Sequence, residues 1–474
     1  MNGNSPTSML AEFAAQTSLE AVPEAAIHAA KRLLLDTVGC AIGGAAIPSA
    51  RIVAKVVGAF GGAAEATVLS SGRKLPAALA AHINAHASNA LDAEDTTLWS
   101  GHLSGCTVMP CLAMAERTRC SGRELLAVLA IAFDVVSRIG LSMRQIAIDE
   151  DGKVRLGVVR GHGWTAFGAS AAAGRLLRLD TTRMLDAFGL TGSMAPMPST
   201  GHWLYLPDHR PMSKYAMFGA CAEAGVTAAL LAAEGFTSDR AILDGDTGLW
   251  RMMGSPGVDW SVIGDRLGAR WLIEETSFKL YPSCRFSHPI IDMALEIRRA
   301  LDLKPAEIDR VQVAVPQAAF NLRMDDRRVE NAVDSQFSIP YLTALALHGT
   351  PFGPDWHSDA MRSRSDIAAL SAKVEVSPHP KGAEMVMAQL RETGRAIRFP
   401  FEISVQARGR RLERSTTYAI GDPWAGVGLG DEELVRKFRV YSAGRLTAAR
   451  ADEACSIMLE LDREPNLDRL LARL

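Results

Sequence analysis

Between Ser88 and Cys106 the chain reads SNALDAEDTTLWSGHLSGC, and its Asp92, Asp95, Thr96 and His102 are the side chains best suited to proton transfer. Read as a continuation of the Ala-rich run before it, this segment places Asp92, Asp95 and Thr96 at i, i+3 and i+4, on one face of a helix. The glycines and serines of SGHLSG then put His102 on a loop just past the helix end. An imidazole beside carboxylates at a helix end can give and take protons. A solvated helix end with no chemistry is the plain alternative.

Three further clusters carry the same kind of chemistry. In RGHGWTAFGASAAAG, His162 directly precedes a small-residue helix. The helix dipole there disfavours protonation and keeps the ring neutral, as a base must be; an inert loop histidine is the other reading. In TGHWLYLPDHRPMSKYAMFGACAEAG, His202, His209, Arg210 and Lys214 precede a very apolar helix. Lysine is rarely buried without a partner, and a substrate carboxylate is one such partner. The alternative places Lys214 on an exposed first turn. In FKLYPSCRFSHPII, Lys279, Cys284, Arg285 and His288 crowd together, a set suited to a substrate with several carboxylates. Cys284 beside Arg285 is either an activated thiol or an inert one.

Signatures of other chemistries are missing. His82 and His86 are spaced i, i+4, but HINAH lacks the Glu of a zinc-protease helix. Cys106 and Cys111 have no matching second pair. GAFGGAA does not follow a strand, and neither G-x-x-x-x-G-K-[ST] nor G-x-S-x-G occurs. The expectation is an enzyme with no metal and no organic cofactor. A metal-dependent hydrolase and a non-catalytic helical scaffold are the readings from other classes.

The elements that position these residues divide the chain of 474 residues into unlike parts. Ala- and Leu-rich segments with helical periodicity run to about residue 270. IDRVQVAVP, AKVEVSP, FEISVQARG and RRLERSTTYAI then read as strands, with HPIIDMALEIRRAL and FSIPYLTALALHG as helices among them. Helical character returns from Asp431. The predicted fold is mainly α: a helical domain formed by residues 1–274 and 426–474, with a smaller α+β lid inserted at 275–425. A hydrophobic share of 48% supports a large core, and a net charge of −2 argues against nucleic acid and anionic membrane as partners. No run of 18 apolar residues is evident to span a bilayer. Residues 1–10 lack a secretory leader pattern, and seven scattered cysteines suit a reducing, cytoplasmic compartment.

Taken in order, LLLDTVGCAIGGA, LDAEDTTLWSGHLSG, SMAPMPSTG, KYAMFGACAEAG, AAEGFTSDRAILDG and KLYPSCRFSHPIID resemble the MmgE/PrpD family. That family includes 2-methylcitrate dehydratase, cis-aconitate decarboxylase and iminodisuccinate epimerase. The resemblance implies a helical domain with an α+β lid, a homodimer, and catalysis without metal or cofactor. It implies proton abstraction next to a carboxylate of a small di- or tricarboxylic acid, foremost a 2-methylcitrate-type dehydration. Epimerisation of an amino- or imino-dicarboxylate and decarboxylation of cis-aconitate are the alternatives. By position, Asp92, Thr96 and His102 match the acidic motif of the decarboxylase, and His162, Lys214 and Lys279 match its other site residues. Cys284 stands where that pattern has a histidine. The clusters and the resemblance together give a catalytic set of His162, His102, Asp92 and Lys214, with Thr96, Lys279, Arg285 and Cys284 binding substrate.

Overall fold

Long Ala- and Leu-rich runs bury most of their faces only against other helices, and this sets the architecture. The computed structural model describes residues 5–97, 101–148, 154–156, 159, 161–197 and 209–474. Its first part holds α1 (Pro6–Gln16), α2 (Glu24–Gly44), α3 (Pro48–Gly58), α4 (Ala77–Asn89), α5 (Ser104–Thr118), α6 (Gly122–Ser142), α7 (Ala166–Leu176), α8 (Thr181–Met194) and α9 (Ala216–Ala233). α9 packs against α7, α4 and α8. Small residues allow the approach: a Cβ on Gly225 would stand 2.3 Å from the Ala166 carbonyl oxygen.

Two details differ from the sequence expectation. Gly122–Ser142 and Met212–Ala233 are long and apolar enough to cross a membrane by length and composition. The first is wholly enclosed by protein, so in this fold its apolarity serves the core. The first part is also not purely helical. Ala66–Thr67 pairs with Lys74–Leu75, Ile146–Ile148 with Val154–Leu156, and β1 (Thr96–Thr97) with β2 (Thr276–Ser277), all antiparallel.

The second part is built on a four-stranded sheet of β3 (Ile308–Val315), β4 (Val374–Pro378), β5 (Phe401–Ala407) and β6 (Arg410–Thr416). Its order is β6-β5-β3-β4, with β3 and β4 parallel and the other pairs antiparallel. β3 alternates buried and exposed side chains over most of its length and β5 is mostly buried, whereas the edge strand β6 is mostly exposed and rich in arginine. α10 (His288–Leu301) packs on β5 and β6, and α11 (Ile339–His348) on β4. α12 (Asp431–Ser442) and α13 (Ala448–Leu459) return to α2, where Lys437 meets Asp36 at 2.5 Å. Among the described residues the fold is therefore mainly helical, with one four-stranded sheet and three two-stranded pairs.

Candidate active site

α4 ends at Asn89, and the helix does not continue into the acidic stretch. The amide of Asp92 donates to the Asn89 carbonyl, and Asp92 itself takes φ 51°, the left-handed region that Asp tolerates better than most residues. The chain then straightens into β1. Asp92, Asp95 and Thr96 therefore share no helical face, which corrects the sequence reading. The reason lies in Asp95: its carboxylate accepts from the Ser104 amide at 2.9 Å and the Leu103 amide at 3.3 Å. It thus satisfies the free amides that open α5, and a residue engaged there cannot continue α4.

The turn delivers Asp92 into the interior, where two lysines from distant segments meet it. Lys214, just before α9, places Nζ 2.8 Å from Asp92 Oδ2; Lys279, just after β2, places Nζ 2.6 Å from Oδ1. The pairing of Thr96 with Ser277 in β1–β2 brings the Lys279 segment alongside the Asp92 loop. All three side chains are buried, which rules out the exposed-turn reading of Lys214. The Lys214 ammonium also lies 3.9 Å from the centre of the Tyr215 ring and 4.9 Å from that of Phe337. Burial works against the Asp92 carboxylate, but the two ammoniums outweigh it and hold the acid well below its usual range. Burial also lowers Lys214, against the pull of Asp92, with Lys279 adding like-charge repulsion.

Two imidazoles border this cluster. His102 lies on the loop before α5; its Nδ1 donates to the Asp95 carbonyl at 2.7 Å, which leaves Nε2, 3.4 Å from Asp92 Oδ1, as the basic nitrogen. His162 opens the turn that leads into α7, with its carbonyl held by the Thr165 hydroxyl at 2.6 Å. The ring centroids of His102 and His162 stand 6.4 Å apart, and Phe218 packs 5.5 Å from His162. Gly101, at φ 146°, lets the loop pass close: a Cβ there would lie 3.5 Å from His162 Nε2. Burial pushes His162 down to about 4, with Lys214 adding to it. His102 falls well below the usual histidine value through burial and then Lys279. Both rings are neutral near pH 7.

The remaining sequence candidates separate. The Thr96 hydroxyl is buried and has no partner among the described residues. Burial pushes the Cys284 thiol up to about 11, so it is a neutral thiol and not an activated one. The sequence makes Arg285 a carboxylate binder, and the structure corrects this. Its guanidinium pairs with the buried Asp422 and donates to the carbonyls of Phe278 at 3.2 Å and Ile420 at 3.3 Å. With its Nη donors taken up in this way, Arg285 ties the β2–α10 connection to the segment after β6. His288 is buried, with Nε2 donating to the Ser283 carbonyl at 3.2 Å. His209 is exposed and faces Glu330 at 3.6 Å, while Arg210 pairs with Asp334 at 3.8 Å. His202 lies outside the described residues. His82 binds Glu223 at 2.7 Å, and among the described residues no group of three or more His, Cys, Asp or Glu stands where it could hold a metal ion.

Two residues escape the sequence reading. Glu94 is fully buried; its Oε1 accepts from Asn89 and lies 3.6 Å from His102 Nδ1. Gln336 accepts from the Tyr215 hydroxyl and donates to the Ala90 carbonyl at 3.0 Å, bracing the segment that carries Lys214 against the Asp92 turn. An acidic residue inside LDAEDT is a visible signal for Glu94; nothing in the sequence marks Gln336.

The MmgE/PrpD N-terminal domain matches residues 8–261 and the MmgE/PrpD C-terminal domain residues 281–463. The cis-aconitate decarboxylase of Homo sapiens is 25% identical over 369 residues, covering 75% of this chain and 73% of that protein. The cis-aconitate decarboxylase of Aspergillus terreus is 22% identical over 492 aligned residues, covering 98% and 95%.

Proposed function

The chain belongs to the MmgE/PrpD family, and on that premise we propose that it is a lyase acting on a small polycarboxylate, with cis-aconitate decarboxylation as the leading reaction. The observation that carries the reading is the sharing of one buried carboxylate by two ammonium groups beside two neutral imidazoles. Such a cluster holds surplus positive charge and unspent N–H donors, which a substrate with several carboxylates satisfies. Relatives that bear the name cis-aconitate decarboxylase favour this substrate over 2-methylcitrate.

The chemistry is then a matter of charge. Loss of CO2 from the CH2–COO⁻ arm leaves an electron pair that forms a new C=C bond with the central carbon. The old double bond breaks, and its electrons move to the carbon next to the far carboxylate. That carbon is an enolate until it takes one proton, giving 2-methylidenebutanedioate. Lys214 and Lys279 hold carboxylates and offset the enolate charge, and an imidazolium at His162 or His102 delivers the proton. Bound carboxylates raise the basicity of these rings, so the proton enters with the substrate. Asp92 keeps the two ammoniums together and stabilises a protonated His102 at 3.4 Å.

A second reading, 2-methylcitrate-type dehydration or epimerisation of an amino- or imino-dicarboxylate, is favoured by Cys284. A neutral thiol there supplies neither the charge nor the acidity of the histidine in the decarboxylase pattern. The partners of the reading are the carboxylate substrate and, from the family resemblance, a second copy of the chain.

Proton NMR of the purified protein with cis-aconitate in deuterated water tests the proposal. A methylidene product carrying one deuterium, with CO2 released, is expected. Unchanged cis-aconitate beside dehydration of 2-methylcitrate, or exchange at the α-carbon of an amino-dicarboxylate, would overturn it in favour of the second reading.

A further inference from the structure

Glu94 has no part in the chemistry above, yet it is the buried carboxyl group next to the machinery. It sits two residues after Asp92 with its side chain fully buried. Its Oε1 accepts from Asn89 and stands 3.6 Å from His102 Nδ1, and its Oε2 is buried without a partner among the described residues. With Asn89 as donor to one oxygen and none to the other, a carboxylate so placed is poorly stabilised as a second negative charge beside Asp92. We propose that Glu94 sets the charge with which the Asp92–Lys214–Lys279 cluster meets its substrate. With the carboxyl protonated the two ammoniums outnumber the one carboxylate, and with it ionised they do not.

The surroundings leave this role to Glu94. On the α2 and α12 side, Asp36 and Lys437 neutralise each other at 2.5 Å, and the same Nζ donates to the Ala93 carbonyl at 2.7 Å. Burial pushes up the thiols of Cys40 and Cys106 and the hydroxyls of Tyr215 and Tyr441, so these groups stay neutral. Burial raises the Asp95 carboxyl, but its oxygens are spent on the start of α5, whose free amides offset its charge. His102 is neutral. Burial, opposed by Lys279 and helped by Asp92 and Asp95, pushes the Glu94 carboxyl up to about 8. A polyanionic ligand therefore finds a cationic cluster below pH 8 and a neutral one above it.

The proposal rests on the polycarboxylate reading of the site, and the experiment separates the two. Propane-1,2,3-tricarboxylate, which cannot react, is titrated by calorimetry into wild type, Glu94→Gln and Glu94→Asp between pH 6.5 and 9. Glu94→Gln fixes the neutral form, so the ratio of wild-type Kd to Glu94→Gln Kd should rise about tenfold from pH 7 to pH 9, the factor that losing one proton of linkage produces. Glu94→Asp should bend as wild type does. In the ligand-free protein the ring signals of His102 should inflect near pH 8 without the ring protonating, and Glu94→Gln should abolish this. A constant Kd ratio, or a missing inflection in ligand-free wild type, overturns the role of Glu94. An inflection that Glu94→Gln removes, with no tricarboxylate bound at any pH, overturns the substrate reading and leaves the titration of Glu94 standing.

Discussion

Two buried ion clusters in this molecule look alike in composition and differ in charge balance. On α6, Asp134 accepts from Arg138 at 2.5 Å and from the Leu272 amide at 2.9 Å. The guanidinium then donates to the carbonyls of Val262, Ile263, Asp265 and Arg270, between 2.8 and 3.2 Å. One anion meets one cation, both on the same helix at i and i+4, and the Nη donors reach backbone oxygens. Around Asp92, by contrast, two cations meet one anion, they come from three separate segments, and Lys214 turns its remaining donors towards aromatic rings. A closed pair fastens the 262–270 segment to α6. An unbalanced one keeps charge in excess of its own partners, the feature on which the proposed polycarboxylate site rests.

The largest expected effect that would break this contrast is on rate. His162→Gln should lower kcat by about 10²–10⁴, the range of a positioned acid or base, while melting stays near wild type. Deuterium incorporation should fall in parallel. His102→Gln with a deeper loss than His162→Gln would make His102 the proton donor.

Breaking the closed pair should act on the other axis. Asp134→Ala leaves a buried guanidinium unpaired and should cost about 3–5 kcal/mol of stability by denaturant melt, with KM of the folded fraction unchanged. A stable variant with altered KM would mean that the two clusters are not different in kind.

Lys279→Met should raise KM about ten- to a hundredfold through loss of a charge-assisted contact, and it should relieve rather than add charge imbalance. If it destabilises as strongly as Asp134→Ala, the Asp92 cluster is structural too.

The pH dependence sharpens the comparison further. His162 is held down to about 4 from an ordinary 6.5. Its native state therefore binds fewer protons than its unfolded state between these values, and stability present above pH 6.5 is lost as pH falls towards 4. His162→Gln should make that part of the stability curve shallower, the other buried histidines keeping their share, whereas Asp134→Ala, which removes a carboxyl that burial raises, should make it steeper.

The smallest effect belongs to Cys284. Cys284→Ser should change kcat by less than about threefold, because a thiol held near 11 is no nucleophile at neutral pH. A larger loss would give this thiol a chemical role.

Much of the helical framework is legible in the sequence because its signal is local. HPIIDMALEIRRAL is α10 and DEELVRKFRVYSA contains α12, each readable from apolar spacing and turn residues alone. The four strands of the sheet are legible as β-branched runs for the same reason. The acidic stretch after α4 defeats such a reading because Asp95 belongs to the start of α5, a competition that helical periodicity does not encode. Arg285 defeats it because its partner, Asp422, is far along the chain.

The sequence by itself determined which side chains are available: an acidic stretch, two histidines beside glycines and two lysines set in apolar surroundings. Tertiary structure decided which of them share a charge. Electrostatic coupling inside a protein depends on distances of a few ångströms and on the exclusion of water, and both are set by chain segments far apart in sequence. Only in the folded chain do Lys214 and Lys279 converge on Asp92, and Arg285, chemically their equal on paper, is taken up by Asp422.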